Sequence, residues 1–134
     1  MNKPIYISFK QNTDLRGCLT AIDSENILPF DIKRIFYISN LDDIERGYHA
    51  HRKCEQILIP ICGCFNLVLD DGIEETHFVL NQSHIGVYIP LFHWLKMKNF
   101  SKDCIILVIC SYKYDETEYI RDYNEFINEV NKMR

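Results

Sequence analysis

The densest polar stretch of the chain reads Glu45-Arg46-Gly47-Tyr48-His49-Ala50-His51-Arg52-Lys53, with Glu55 close behind. Side chains on a β-strand alternate between faces. On a strand, His49, His51 and Lys53 therefore point one way and Tyr48, Ala50 and Arg52 the other. Two imidazoles on one face, with a cation from Arg46 or Lys53 beside them, can move protons near neutral pH or hold a metal ion. The bland reading is an exposed polar strand. A His-x-His doublet flanked by Gly47 and Arg46, in a chain of β-type runs, favours chemistry.

Spacing bears on the choice between proton transfer and metal. His49-x-His51 followed by Glu55 resembles the first motif of metal-binding cupins, whose two His and Glu are ligands. The fourth ligand there is a His past a Pro in a later hairpin. Here that hairpin reads Gly86-Val87-Tyr88-Ile89-Pro90-Leu91-Phe92-His93-Trp94-Leu95, so Leu95 fills the ligand position. His93 lies on the same strand face as that position. Two His and a carboxylate still suffice for iron or zinc, but the substituted fourth position favours a metal-free site.

The elements that must position these groups are short strands. Ile5–Phe9, Cys18–Ile22, Ile32–Ile38, Glu55–Ile61, Phe65–Leu69, Thr76–Leu80, Val87–Ile89 and Ile105–Ser111 are apolar or alternating runs separated by turn residues. Asp70-Asp71-Gly72 predicts a hairpin turn, and Gly63 another. Many short strands at regular spacing predict an all-β barrel or sandwich, over residues 5–114. Only the tail departs: Phe126, Ile127 and Val130 recur at helical spacing, which predicts one C-terminal helix within residues 120–133, starting near Tyr123. No repeat or linker divides the chain, so residues 1–134 are expected to form a single domain.

Composition narrows the function. The 134 residues carry a net charge of −4, which disfavours nucleic-acid binding, since such domains carry a basic excess. No apolar run is long enough to span a bilayer. The N-terminus has no apolar core followed by a small-residue cleavage site, so a cytoplasmic protein is expected. The six cysteines mostly sit in apolar runs and are read as reduced core thiols. Aromatic residues make up 13% of the chain, which leans toward β structure and a site with ring surfaces.

Taken together, several separated segments identify a resemblance. They are Asp14-Leu15-Arg16-Gly17, the run from Leu28 to Tyr37, Arg46-Gly47-Tyr48-His49-Ala50-His51, and Asp70-Asp71-Gly72. Trp94 with Asn99-Phe100-Ser101, and the tail from Tyr114 to Tyr123, complete the set. In this order they resemble the sugar 3,4-ketoisomerases that act on dTDP-4-keto-6-deoxy-D-glucose, a branch of the epimerase-like cupins. The resemblance runs from about residue 5 to residue 126. It implies a double-stranded β-helix (cupin, or jelly-roll) barrel, a homodimer with an exchanged N-terminal strand, and no cofactor. It also implies a reaction that moves the sugar ketone from C4 to C3 through an enediolate, on the way to amino-deoxy sugars of surface glycans.

The resemblance assigns roles residue by residue. His49 matches the base of the Arg-Gly-x-His motif of the related 3,5-epimerases, and Arg46 its arginine. Arg16 matches an arginine that reaches phosphate. His51 stands where the epimerases lack histidine, which suits a proton shuttle between adjacent oxygens, so both imidazoles are assigned to proton transfer. Lys33 and Tyr37 share a strand face that is expected over the substrate, and Lys53 follows the histidine face. His93 and Trp94 border the cupin pocket, where ring stacking on thymine or sugar and ordinary core packing are both open. Tyr114 resembles the epimerase acid, with Tyr112 a near competitor. Leu95 departs from the His that many family members carry after the Trp. Three alternatives remain at this point: a 3,5-epimerase on the same substrate class, a metal-dependent cupin, and a non-catalytic sugar-binding cupin.

Overall fold

The computed structural model describes residues 2–23 and 28–134. Two five-stranded antiparallel sheets face each other. The first has the order β1 (Ile5–Ser8), β9 (Ile85–Ile89), β6 (Gln56–Cys62), β11 (Ile105–Cys110) and β4 (Arg34–Ile38). The second has β12 (Tyr119–Ile120), β5 (Arg46–His51), β10 (Trp94–Lys98), β7 (Phe65–Asp70) and β8 (Glu75–Leu80). Side chains such as Leu58, Phe65, Leu67, Phe78, Val87, Ile106 and Val108 fill the space between them. This is the jelly-roll barrel of the cupins, with one short C-terminal helix.

β6 and β11 read as nearly continuous apolar runs because both of their faces are buried. Leu58 and Val108 point into the barrel. On the other side Ile57, Ile59 and Ile109 pack with Ile7, Phe9, Leu28 and Tyr88. Pro60, which lacks an N–H, falls where the register between β6 and β11 shifts, a position that tolerates the missing ladder bond. By contrast β8, at a sheet edge, alternates Phe78 and Leu80 inward with His77 and Val79 outward.

Helix α1 (Tyr123–Lys132) follows β12 directly, so its start agrees with the expectation near Tyr123, while residues 119–120 belong to a strand. Asp122 caps it, accepting from the Glu125 N–H at 2.9 Å. The buried stripe of Phe126 and Val130 lies on the outer face of the second sheet, against Ala50, Trp94 and Ile120. Its position also explains Trp94, whose ring centroid lies 5.3 Å from that of Tyr123 and 5.8 Å from that of Phe126.

One element stands apart. Among the described residues the hairpin of β2 (Gln11–Asp14) and β3 (Gly17–Thr20) pairs only with itself. Leu15 and Leu19 on it are exposed, as is Arg16, which is held by Asp14 at 2.6 Å. All six cysteines are free thiols; Cys54, Cys104 and Cys110 are buried, and only Cys18, on this hairpin, is exposed. No helix among the described residues is long and apolar enough to cross a membrane.

Candidate active site

A cavity of about 270 Å³ opens into the barrel, with Arg34, Arg46, His49, Gln56, Tyr119 and Arg121 as its polar lining. Leu58, Leu95 and Val108 line its apolar part. A wider, open cleft of about 640 Å³ runs along α1, but it has no imidazole, and its Glu125 and Glu129 are already paired with Arg52.

His49 owes its position to β5, and Arg46 to an irregularity in that strand. Simple alternation would place Arg46 opposite His49. In the ladder, however, Leu95 pairs with His49 and Lys96 with Gly47, so Tyr48 is an extra residue that bulges out of the strand. Tyr48 has φ 61° and Gly47 φ 97°. The bulge turns Arg46, opposite the inward Met97, to the cavity side. Gly47 cannot be replaced here without distortion, because a Cβ would lie 2.7 Å from the Leu95 carbonyl oxygen.

His49 Nδ1 lies 3.1 Å from the Gly47 carbonyl oxygen. A carbonyl only accepts, so this nitrogen carries the proton and Nε2 keeps its lone pair. Burial, then the neighbouring His51, push the His49 pKa down to about 4, so the ring is neutral at pH 7. His51 lies deeper, with its ring centroid 4.9 Å from that of His49. Its Nδ1 contacts Glu118 Oε2 at 2.5 Å, and both side chains are almost wholly buried.

Tyr119 on β12 pairs with His51 across the ladder, and its ring lies 4.5 Å from the His51 ring and 5.2 Å from the His49 ring. Burial raises its phenol pKa, against a hydrogen bond from Arg34, so the hydroxyl stays protonated at neutral pH. Arg121 stacks over the Tyr119 ring at 4.5 Å and is held by Glu116 at 2.6 Å. Arg34, Arg46 and Arg121 thus converge on one cavity, where guanidinium groups suit phosphate oxygens.

The other expected residues are placed elsewhere, for identifiable reasons. On β4 the inward face is Arg34, Phe36 and Ile38, so Lys33 and Tyr37 turn outward, Tyr37 being 70% exposed. Ile35 is exposed with them, so apolar content does not choose the face; Phe36 and Ile38 go in by packing against the barrel core. Lys53 leaves the histidine face because β5 ends at His51, and its ammonium lies 5.9 Å from the Tyr112 ring. His93 lines a separate cleft with Asp71 and Glu74 and bonds the Leu91 carbonyl at 2.9 Å. Trp94 packs beneath α1. Tyr114 lies beside Tyr119, exposed, and donates to Glu116 at 2.7 Å. Glu55 accepts from the Tyr88 hydroxyl at 2.5 Å, away from the histidine pair. The carboxylate that meets His51 is Glu118, which sequence reasoning missed along with Arg34, Gln56, Tyr119 and Arg121.

The chain matches a family model described as "FdtA: WxcM-like, C-terminal" over residues 2–131. It is 41% identical over 128 residues to the TDP-4-oxo-6-deoxy-alpha-D-glucose-3,4-oxoisomerase of Aneurinibacillus thermoaerophilus, covering 95% of this chain and 92% of that protein. QdtA, a sugar 3,4-ketoisomerase from Thermoanaerobacterium thermosaccharolyticum solved in complex with TDP, is 42% identical. It has a TM-score of 0.94, with 97% of this chain and 96% of that chain covered. A His-to-Asn mutant of QdtA was solved with TDP-4-keto-6-deoxyglucose. It is 41% identical, with a TM-score of 0.94 over 98% of this chain and 96% of that one. With near-complete coverage in sequence and in structure, the chain belongs to the FdtA-like family of sugar 3,4-ketoisomerases.

Proposed function

We infer that this protein is a cytoplasmic isomerase that converts dTDP-4-keto-6-deoxy-D-glucose to a dTDP-3-keto-6-deoxyhexose. One observation carries the reading: a neutral imidazole, His49, lines a cavity shared by three arginines and a half-buried tyrosine. The substrate follows from what the relatives act on and bind.

The chemistry needs no oxidant. The C4 ketone acidifies the hydrogen on C3, and a neutral imidazole takes it, worth roughly 100- to 10,000-fold. Charge develops on the enediolate oxygens, and fixed donors beside them supply a large share of the barrier reduction. The Tyr119 hydroxyl and the arginines share the cavity with His49 as donors, and the arginines are also suited to the diphosphate. A proton delivered to C4, with one moved between O3 and O4, completes the isomerisation. His49 and His51 share the proton transfers.

A homodimer is part of this reading. A two-stranded hairpin alone is marginal in water, and among the described residues β2–β3 pairs with no other strand while exposing Leu15 and Leu19. A second copy covering it would bury those side chains and carry Arg16 toward a phosphate group.

Proton NMR of dTDP-4-keto-6-deoxyglucose in D2O with EDTA-treated protein tests the proposal. Deuterium incorporation and a new 3-keto sugar are expected; unchanged substrate over hours refutes the assignment. The pH profile of the same assay tests His49. A depressed pKa keeps the base free down to about 4, so kcat/KM should stay level from pH 7 to about pH 5 and fall below that. Because turnover also needs a neutral His51, the limb is assigned by the ring resonances: a His49 ring that itself titrates near 6.5, the ordinary imidazole value, would show that His49 is not the neutral base described.

A further inference from the structure

Glu118 has no role in any of the motifs, yet both of its carboxylate oxygens accept hydrogen bonds. Oε1 accepts the backbone N–H groups of Lys53 and Cys54 at 3.0 and 3.1 Å, and Oε2 accepts from His51 Nδ1 at 2.5 Å. Burial alone would raise its carboxyl pKa, but the His51 and backbone donors outweigh that and hold it below the usual carboxylate range. The turn that carries Glu118 is stitched to the end of β5. The Arg52 N–H donates to the Glu118 carbonyl at 2.8 Å, and the Arg52 guanidinium reaches the carbonyls of Thr117 and Tyr119 at 3.2 and 2.9 Å. Opposite this carboxylate is His51 Nε2, the one buried side-chain polar atom among the described residues without a hydrogen-bond partner.

We propose that Glu118 is the positioning residue that fixes the tautomer of His51, holding its proton on Nδ1 so that Nε2 remains a bare lone pair beneath His49 and Tyr119. The inference rests on the ketoisomerase reading and deepens it. During turnover the lone pair on Nε2 takes the proton that leaves one sugar hydroxyl: the N–H bond forms as the O–H bond breaks. The resulting imidazolium is matched by the Glu118 carboxylate. The proton then passes to the neighbouring oxygen and the ring returns to neutral. A protonated Nε2 could accept nothing, so the orphaned lone pair and the carboxylate behind it are two parts of one device.

Glu118→Gln separates this role from a structural one. The amide has the same shape, and its oxygen keeps the N–H groups of Lys53 and Cys54. Its NH2 then faces His51 Nδ1, which must become the acceptor, and the ring proton moves to Nε2. Long-range 1H–15N spectra of the labelled protein at pH 7 read this directly. The wild type is expected to show His51 protonated on Nδ1, and the variant on Nε2. In the variant kcat should fall about 100-fold, with KM within about threefold, since proton transfer and not binding is lost. Wild-type His51 carrying its proton on Nε2 overturns the proposal, as does a variant that keeps kcat within threefold or loses it without the tautomer change. The wild-type spectrum decides the matter even if the variant does not fold. If the wild type proves inactive on the sugar, the ketoisomerase reading falls while the tautomer measurement still stands.

Discussion

Replacing His49 with Asn should lower kcat by about 1,000-fold, within the range of a positioned acid–base group, and stop deuterium entering the sugar. The substitution is chosen to remove the base and little else. The Asn amide can donate to the Gly47 carbonyl as Nδ1–H does now, so the local hydrogen bond survives. Arg34, Arg46, Tyr119 and Arg121 are untouched, so TDP should bind within a few-fold of the wild-type affinity, measured by calorimetry. Activity within threefold of wild type would remove His49 from the proton path. Lost activity with lost TDP binding would show instead that His49 mainly shapes the cavity.

The barrel was legible from the sequence because its strands are short, alternating or continuously apolar, and bounded by turn residues. The helix was legible because Phe126 and Val130 recur at helical spacing behind an Asp that caps it. The histidine pair was legible because period two holds from His49 to His51. What period two does not tell is which face is inside. On β4 the faces are Lys33, Ile35 and Tyr37, or Arg34, Phe36 and Ile38; each carries two apolar or aromatic side chains, so composition does not choose between them, and it is Phe36 and Ile38 that pack on the core. Nor does alternation survive an extra residue: the Tyr48 bulge moved Arg46 to the side of His49.

The far side of the site was less legible for a different reason. Glu118, Tyr119 and Arg121 lie on a single 3₁₀ turn and around a two-residue strand, elements too short to leave a periodic signal. They reach the histidines only because β12 adds to the edge of β5, a pairing between residues far apart in sequence. The segment from Tyr114 to Tyr123 stands out in the sequence as a motif, and within it the tyrosine that meets both imidazoles is Tyr119. One signal was available: Tyr119 and Arg121 are spaced by two, with apolar Ile120 between them, as a strand with one wet and one dry face requires.

Trp94 carries the largest expected effect on stability, and its replacement separates packing from ligand stacking. Its side chain is 5% exposed, on the outer face of β10, wedged against Tyr123 and Phe126 of α1. Trp94→Ala removes the ring on which the helix sits, at a cost of about 3–5 kcal/mol. For a domain of this size that corresponds to a Tm lower by roughly 10–20 °C. Trp94→Phe keeps an aromatic wedge and should lose a fraction of that. If the indole instead stacked on thymine, removing it would weaken TDP binding by about 1–3 kcal/mol, the usual worth of base–aromatic stacking. The geometry predicts the opposite partition: a large fall in Tm, followed by circular dichroism, with the Kd for TDP within about threefold of wild type at temperatures where the variant is folded. A Tm within a few degrees of wild type together with a tenfold weaker Kd would place Trp94 at the ligand. The expected result places it under the helix, with a consequence for the site. α1 follows directly on β12 and packs against β5, so the indole supports the edge on which Tyr119 meets the two histidines.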